Sequence, residues 1–391
     1  MKEIYLDNAA ATPIDPKVQT EMVRGMKFAG NPSSYNDSGR QAADMLEKAR
    51  SKVARFLSAR SQEIIFTSSG SEANSLAIFG VAKVSDKKFR HILTTPIEHM
   101  SVIEPVVTLV KDGYHTEFLP VDHEGTVVLD RLQRMLRKNT LMVSVMYANN
   151  EIGTIEPIQK IGKIIRAFRE KHGSEFPLFH VDACQATEYL DMNVQQLGAD
   201  LLTFNGSKVY GPRGVGVLYA RQGIALRPIV LGGGQEQGMR AGTENVPAIM
   251  GLARALELIK SKEGKKTAAL RDYFFNRMGK IMPNVRVNGS EDRRLPNNIN
   301  ISIPGLDSEN MLLELDRHGI RAGSGSACTA RSVEPSHVLR AIGIRKPYLD
   351  GALRFSLGRT TTKKDIDYLL EVLPKIVTEL KNRYNKVEKN R

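Results

Sequence analysis

One cysteine, Cys328, lies in a segment of small and polar residues, Gly323-Ser324-Gly325-Ser326-Ala327-Cys328-Thr329. Cysteines that only pack prefer apolar surroundings, whereas a nucleophilic thiolate needs access and room to move. This composition therefore favours a reactive thiol at Cys328. The other cysteine, Cys184, follows an apolar run and is interpreted as structural.

A lysine occupies a similarly unusual position. Lys208 follows the apolar run 201–204 in a loop of small residues, Asn205-Gly206-Ser207. A lysine placed directly after a buried strand can form a Schiff base with a carbonyl compound. An ordinary surface lysine remains the alternative from this segment alone.

The segment Ser69-Gly70-Ser71 connects a β-rich run to a helical pattern. Free backbone amides and the positive end of the helix dipole would meet an anion there, and Ser71 adds a hydroxyl donor. An ordinary helix cap by Ser69 or Ser71 explains the same residues equally well. The lysine of a Walker A loop and the Gly-x-Gly-x-x-Gly turn are both missing, which disfavours nucleoside triphosphates and nicotinamide cofactors.

Three further side chains could act in such a site. Asp182 ends an apolar strand, where a cationic pyridinium nitrogen would be a suitable partner, although a helix-capping role is also open. His99 lies between a strand and a helix and could stack on a cofactor ring and transfer protons. Arg354 lies on an apolar strand, where it could bind a carboxylate in bidentate fashion or form a structural ion pair.

Histidines at metal-ligand spacing are absent from the sequence, and the two cysteines lie far apart. We therefore expect no metal site.

The elements that must position these residues alternate between strand and helix, which predicts a mostly parallel seven-stranded sheet in an α/β fold, with helices on both faces. The predicted strands are 63–67, 91–95, 116–120, 141–147, 178–182, 200–204 and 216–220, and the predicted helices between them are 71–84, 101–112, 158–171 and 194–197. Longer helices at 246–262 and 267–281 then precede a smaller α+β domain with strands at 298–303 and 353–357, a helix at 308–318 and a final helix from Lys363. We expect a large domain over 14–250, and a small domain made of 1–13 and 251–391 that carries Cys328.

Composition limits the partners. The 391 residues carry a net charge of +13, which favours anionic partners such as cofactor phosphates, acidic carrier proteins or RNA. No nucleic-acid-binding motif accompanies the charge, so direct nucleic-acid binding is not expected. The chain shows no secretory leader and no membrane-length apolar run, which predicts a cytoplasmic protein without a membrane partner.

Taken together, the motifs resemble the cysteine desulfurases of the NifS/IscS type, in the class V aminotransferase-like branch of the fold-type I pyridoxal-phosphate enzymes. The resemblance covers nearly the whole chain and rests on an ordered series of segments: Tyr5-Leu6-Asp7-Asn8-Ala9-Ala10, Glu98-His99, Asn149-Asn150-Glu151-Ile152-Gly153, His180-Val181-Asp182, Lys208-Val209-Tyr210-Gly211-Pro212, Arg240-Ala241-Gly242-Thr243, Gly325-Ser326-Ala327-Cys328 and Arg354-Phe355-Ser356-Leu357-Gly358-Arg359.

The resemblance implies pyridoxal 5'-phosphate as cofactor and a role for each matching residue. Lys208 would hold the cofactor covalently and move protons, Asp182 would pair with the pyridinium nitrogen, Gln185 would reach the phenolic oxygen and His99 would stack on the ring. The phosphate would be held by Gly70, Ser71 and, from the neighbouring subunit of a homodimer, Thr243. Arg354 and Asn149 would fix the carboxylate of the substrate.

The implied reaction converts L-cysteine to L-alanine and transfers the sulfur to Cys328 as a persulfide. The persulfide would then pass its sulfur to an acceptor protein in iron-sulfur cluster assembly or tRNA thiolation. Two residues depart from the family pattern, because Asn205 and Ser207 stand where a serine and a histidine are usual near the phosphate. Both can still donate hydrogen bonds, so cofactor binding is expected to survive.

Two alternatives remain open from the sequence. A selenocysteine lyase or another class V enzyme would share most of these motifs, although a transaminase needs no loop cysteine. The changes at Asn205 and Ser207 would also suit a degenerate member that serves as a non-enzymatic scaffold.

Overall fold

The computed structural model describes residues 3–86, 88–325 and 335–389. The strands in this part of the chain are β1 Ile4–Tyr5, β2 Ile64–Thr67, β3 His91–Thr94, β4 His115–Phe118, β5 Thr140–Met146, β6 Leu178–Asp182, β7 Leu201–Asn205, β8 Gly216–Ala220, β9 Arg286–Val287, β10 Asn298–Ser302, β11 Ile320–Arg321 and β12 Ala352–Ser356. The α-helices are α1 Pro16–Met26, α2 Asp37–Leu57, α3 Gly70–Val84, α4 Met100–Val110, α5 Leu129–Met135, α6 Ile158–His172, α7 Val194–Leu197, α8 Val246–Glu257, α9 Ser261–Ile281, α10 Ser308–Arg317, α11 His337–Ala341 and α12 Lys363–Lys389.

A seven-stranded sheet with the order β2-β8-β7-β6-β5-β3-β4 forms the centre of the molecule. Only β8 runs against the others, pairing antiparallel with both β2 and β7. The remaining pairs in this sheet are parallel, so the predicted mostly parallel sheet is confirmed. Because parallel strands end on the same side, the loops that follow β2, β3, β5, β6 and β7 meet at one edge.

Helices cover both faces of this sheet, as expected. Helices α2, α6 and α8 pack on one face, where Phe179 and Phe204 are fully buried. Helices α3 and α4 pack on the other face, around Ile92 and Leu218. Because both faces are covered, strands β2, β3, β5 and β6 are buried along their whole length instead of alternating between buried and exposed residues.

A second, smaller sheet with the order β12-β10-β9 packs on α9, α10 and α12. Its core includes Ile4 and Leu6 from the amino-terminal segment, which pairs through β1 with β11. The beginning of the chain is therefore fastened to elements more than 300 residues later. The division into a large and a small domain at the expected boundaries stays a prediction.

The long helices after the central sheet differ from expectation in one detail. The sequence predicted a gap between the helices 246–262 and 267–281, but residues 263–266 lie inside α9. The chain instead leaves the helical conformation at Lys260, whose backbone is extended. A Cβ atom at Gly264 would make only ordinary van der Waals contacts with Tyr189 and Pro296, so packing does not require a glycine here.

Glu156 is a buried carboxyl group beside the core and allows a test of stability against pH. The backbone N–H of Val127 donates to its Oε2 at 3.0 Å, while its Oε1 has no partner within the described residues. Burial raises the pKa of Glu156 to about 8. Since the pKa in the unfolded chain is about 4.3, the unfolded state binds fewer protons between these pH values. The contribution of Glu156 to stability is therefore largest at low pH and is lost as the pH rises through about 8.

The isosteric substitution Glu156→Gln removes this dependence. We expect the variant to gain free energy of unfolding relative to wild type as the pH rises, by on the order of 3 kcal/mol at about pH 8 and by much less at about pH 5. Denaturant unfolding at the two pH values measures the difference. A difference that is the same at both would mean that Glu156 does not titrate in this range.

His91, His115 and Glu117 lie near the start of β3 and β4. This edge of the central sheet is opposite the edge where the loops after β2, β3, β5, β6 and β7 meet. Their ligand atoms lie within 4.8 Å of one another, although nothing in the sequence spacing indicated a histidine pair. The pair forms because His91 and His115 are register partners on β3 and β4. His91 Nε2 and Arg137 Nη2 already contact the Glu117 carboxylate, at 2.9 and 2.7 Å. This cluster ties the edge strand β4 to its neighbour.

Among the helices that the structure describes, none is both long enough and apolar enough to cross a membrane.

Candidate active site

A cavity of about 410 Å³ opens at the carboxyl edge of the central sheet. Most of the residues that the sequence predicted for the site line it, namely Gly70, Ser71, His99, Asp182, Gln185, Asn205, Ser207, Lys208 and Arg354. Segments separated by almost 300 residues are brought together because five strands end here and because β12 of the smaller sheet closes one side.

Lys208 reaches into the cavity from a short 3₁₀ turn that follows β7. Its Nζ donates to the carbonyl oxygens of Ala9 and Ala10, at 2.7 and 2.6 Å. Gln185 Nε2 donates to the same Ala9 carbonyl at 3.0 Å. The amino-terminal segment therefore forms a wall of the cavity, which the local sequence around Ala9 did not indicate.

Asp182 is the last residue of β6 and is 5% exposed. Its Oδ2 accepts a hydrogen bond from Asn74 Nδ2 at 2.8 Å, and its Oδ1 accepts one from the backbone N–H of Cys184 at 3.0 Å. A carboxylate can accept about four hydrogen bonds, so Asp182 retains capacity for a cationic N–H donor in the cavity.

Asn74 connects Asp182 to His99 and was not singled out from the sequence. It is fully buried, and its Nδ2 also donates to Ser101 Oγ at 2.9 Å. Ser101 Oγ lies 2.8 Å from His99 Nδ1, and the backbone N–H of Ser101 donates to the same nitrogen at 3.1 Å. Because Nδ1 accepts, a neutral His99 carries its proton on Nε2. The only sequence signal for Asn74 is a polar residue shortly before the apolar run 76–82 of helix α3.

The amino end of α3 forms the anion-binding part of the cavity. Ser69 caps the helix by accepting the Glu72 N–H at 3.1 Å, and the first-turn amides have no partner within the helix. A Cβ atom at Gly70 would lie 2.8 Å from Cys184 Sγ and 2.9 Å from Asn205 Nδ2. Only glycine therefore leaves the helix end this close to β6 and β7.

Asn205 and Ser207 keep their polar groups at this end of the cavity. Ser207 Oγ donates to Asn205 Oδ1 at 3.1 Å, and Asn205 Nδ2 lies 3.6 Å from Cys184 Sγ. Burial, reinforced by Asp182, raises the pKa of the Cys184 thiol well above its usual range. Cys184 is therefore a protonated thiol at neutral pH and a poor nucleophile, consistent with its structural interpretation.

Arg354 lies on β12 and is 2% exposed. Its Nη2 forms an ion pair with Asp7 Oδ1 at 2.8 Å, and its Nη1 donates to the Asn150 carbonyl at 3.1 Å. Its Nε is buried without a hydrogen-bond partner in the described part of the chain. The guanidinium is thus held in place with a donor still unsatisfied.

Asn149 and Thr243 do not line the cavity. Asn149 is fully buried, its Oδ1 accepting the backbone N–H groups of Glu151 and Ile152 and its Nδ2 donating to the Ile97 carbonyl. Its neighbour Asn150 lines the cavity instead. Thr243 is exposed on a loop outside the cavity of its own chain.

Cys328 falls within 326–334, outside the described residues. The cavity wall includes Gly325, three positions before it in the sequence.

These features fit a flat aromatic cofactor that carries an aldehyde and a phosphate. The buried Asp182 carboxylate can receive a ring N–H, the amide-rich end of α3 can receive the phosphate and Lys208 can reach the aldehyde.

Comparisons with known proteins agree with this geometry. The model of the Aminotransferase class-V family matches residues 4–369. The cysteine desulfurase IscS of Dictyoglomus turgidum is 45% identical over 385 residues, covering 97% of this chain and 96% of the relative. The cysteine desulfurase IscS 1 of Archaeoglobus fulgidus is 41% identical over 382 residues, covering 97% and 98%.

The solved structures lead to the same group. A NifS-like protein superposes with a TM-score of 0.90 at 34% identity, covering 97% of this chain and 100% of the other. A NifS-like protein from Rickettsia africae gives a TM-score of 0.84 at 33% identity, covering 96% and 100%. The chain therefore belongs to the class V aminotransferase family and, within it, to the cysteine desulfurases of the NifS/IscS type.

Proposed function

We propose that this protein uses pyridoxal 5'-phosphate to convert L-cysteine to L-alanine and that Cys328 receives the sulfur as a persulfide. The observation that carries the proposal is the meeting of Lys208, Asp182 and the amino end of α3 in one cavity, with Arg354 on its wall. When bound, the cofactor supplies an electron sink for negative charge at the α-carbon of the amino acid.

The residues around the cavity divide the remaining tasks. Arg354 binds the substrate carboxylate through its guanidinium, and its ion pair with Asp7 holds that group in place. Lys208 Nζ anchors the cofactor and moves the proton of the α-carbon. His99 would cover the cofactor ring and present its Nε2 proton. Gln185 would reach the phenolic oxygen, while Gly70, Ser71, Asn205 and Ser207 would surround the phosphate.

The atoms and electrons of the sulfur-transfer step balance without an added oxidant. The Cys328 thiolate attacks the sulfur of the substrate, a sulfur–sulfur bond forms and the carbon–sulfur bond breaks. The electron pair of the broken bond stays with the carbon skeleton, which takes a proton and leaves as alanine. One cysteine therefore yields one alanine and one persulfide.

Two surface properties of the protein bear on its assembly and its partners. The exposed position of Thr243 suits a homodimer in which this residue completes the phosphate site of the neighbouring subunit. The net charge of +13 suits an acidic acceptor protein in iron-sulfur cluster assembly or tRNA thiolation. Asn149, whose side chain is engaged with backbone groups, would shape the loop beside Arg354 and bind substrate only after rearranging. A cytoplasmic location stays a prediction.

The experiment that tests the proposal follows the sulfur. The purified holoenzyme is incubated with L-cysteine carrying isotopically labelled sulfur, alanine is quantified and the peptide containing Cys328 is analysed by mass spectrometry. We expect labelled sulfur on Cys328 and one alanine per persulfide. Alanine without label on Cys328 would indicate a lyase, and a keto acid would indicate a transaminase.

Asp182→Asn tests the buried carboxylate. The substitution keeps the shape but removes the charge that would hold a ring nitrogen protonated, so we expect turnover of cysteine to fall roughly 100-fold. The measurement is alanine formation at saturating cysteine, with cofactor content determined for each preparation. Asp191→Asn, at an exposed position, is the control. Wild-type turnover in Asp182→Asn would remove this residue from the proposed mechanism.

A further inference from the structure

Glu151 is a buried carboxyl group that the proposed reaction does not use. It is 3% exposed and follows Asn150, whose backbone carbonyl accepts from Arg354. Its Oε2 lies 2.5 Å from Ser336 Oγ, the donor of a hydrogen bond to it. A Cβ atom at Gly325 would overlap the same oxygen, so the glycine backbone lies directly against it. One carboxylate oxygen therefore touches the chain on both sides of residues 326–334.

Each of these two contact points is fixed to the body of the protein. On one side, Gly323 exchanges two backbone hydrogen bonds with Arg354, at 3.0 and 2.7 Å. On the other side, Ser336 Oγ accepts the Leu339 N–H at 3.1 Å and caps α11, and His337 Nε2 bonds the Glu98 carbonyl at 2.9 Å.

The position of Gly325 matters because it lines the cavity and precedes Cys328 by three residues. Three residues span at most about 10 Å. The position of Gly325 therefore limits the reach of a thiol three residues later in the sequence. Errors of about 1 Å in the placement of a reacting group can cost up to about 100-fold in rate.

We propose that Glu151 is a positioning residue for sulfur transfer, whose Oε2 sets the distance between Gly325 and Ser336 and holds Gly325 on the cavity wall. This inference rests on the proposed function, because it assumes that Cys328 takes the sulfur. Glu151 is not placed in contact with the substrate, so it acts on the transfer step and not on the binding of cysteine.

The charge state of Glu151 agrees with this role. Burial raises its pKa, against the opposing effects of the Ser336 hydroxyl, His337, Arg354 and His99. A carboxyl group that is neutral for more of the time adds less negative charge at the cavity wall beside Gly325.

The first test separates transfer from binding. Holoenzyme with Glu151→Ala is mixed with cysteine, and two quantities are measured: the dissociation constant of cysteine, from the change in cofactor absorbance, and the single-turnover rate of persulfide formation on Cys328. We expect the persulfide rate to fall roughly tenfold or more while the dissociation constant stays within about twofold. Glu151→Gln, which keeps the length and a hydrogen bond to Ser336, should recover most of the rate.

Glu156→Ala is the matched control, because it also removes a buried carboxyl group of the same region but contacts neither Gly325 nor Ser336. We expect wild-type persulfide formation from it. Equal losses in both variants would show a general packing effect and overturn the proposal. A dissociation constant for cysteine that rises as much as the rate falls would place Glu151 in substrate binding and would also overturn it.

The second test uses the close approach to Gly325. Gly325→Ala puts a methyl group against the Glu151 carboxylate, so we expect the persulfide rate to fall at least about tenfold. Shortening the carboxylate in the double variant Gly325→Ala/Glu151→Asp should restore part of that rate, because the clash is relieved. Losses that multiply in the double variant would show that the two residues act independently. If the wild-type protein itself forms no persulfide, the proposed function is contradicted. That outcome is distinct from a failure of the Glu151 proposal, which would show wild-type persulfide formation in the Glu151→Ala variant.

Discussion

Lys208→Ala is expected to abolish turnover of cysteine, with a fall of at least about 10³-fold in the rate of alanine formation. The substitution removes one amine that serves two purposes, holding the cofactor covalently and moving the α-proton, and proton transfer by a placed group is by itself worth about 10² to 10⁴. Among the described residues that line the cavity, no other carries a primary amine, and the Ala9 and Ala10 carbonyls hold Nζ of Lys208 in place.

The measurement is alanine release by the purified variant, together with its cofactor content and visible spectrum. We expect altered absorbance even in preparations that retain the cofactor, because the covalent link to the protein is missing. Lys48→Ala, on the exposed face of α2, controls for the loss of a lysine. A Lys208→Ala variant that keeps a tenth of the wild-type rate would mean that another group does the proton transfer.

Cys328→Ala is expected to eliminate persulfide formation completely while leaving the binding of cofactor and cysteine intact. The groups proposed for binding, including Asp182, Lys208 and Arg354, all lie on described elements outside the 326–334 segment. The cysteine-induced change in cofactor absorbance should therefore persist, while alanine and sulfide release fall to background. The reason is that the carbon–sulfur bond can break in this way only when a nucleophile takes the sulfur and leaves the bonding electron pair on the carbon.

Cys184→Ser is the matched control for the loss of a thiol. Burial keeps the Cys184 thiol protonated, so we expect the persulfide still to form on Cys328 in this variant. Persulfide on Cys184 in the Cys328→Ala variant would contradict the assignment of the nucleophile. Undiminished alanine release from Cys328→Ala would point to a lyase that needs no protein thiol.

The elements of the central sheet could be predicted well because their signals are local. The seven strands lie within one or two residues of the expected ranges, since a buried parallel strand is a short apolar run bounded by loops. Helices α1 and α2 were not identified, although Asp15 before Pro16 and Asn36 before Asp37 are recognisable helix starts, and both side chains cap.

The candidate site was predicted largely because its residues follow strand ends. Four of them lie at or just after the ends of different strands: Gly70, His99, Asp182 and Lys208. Because parallel strands end on the same side of a sheet, such residues lie at one edge. Sequence reasoning missed Asn74, because nothing local shows that its amide joins Asp182 to Ser101. Asn149 was chosen from a motif of two asparagines, and it is the neighbouring Asn150 that lines the cavity.

The sequence by itself determined the class of fold and the family, and it supplied the candidate residues for the chemistry, because apolar runs and short motifs are local properties of the chain. Tertiary structure decided which of these groups meet. The placement of the Ala9 carbonyl at Lys208, the pairing of Asp7 with Arg354 and the contact of Glu151 with both Gly325 and Ser336 join segments up to about 350 residues apart. Such contacts depend on strand register and on the packing of the smaller sheet against the larger one, and neither is encoded in the spacing of neighbouring residues.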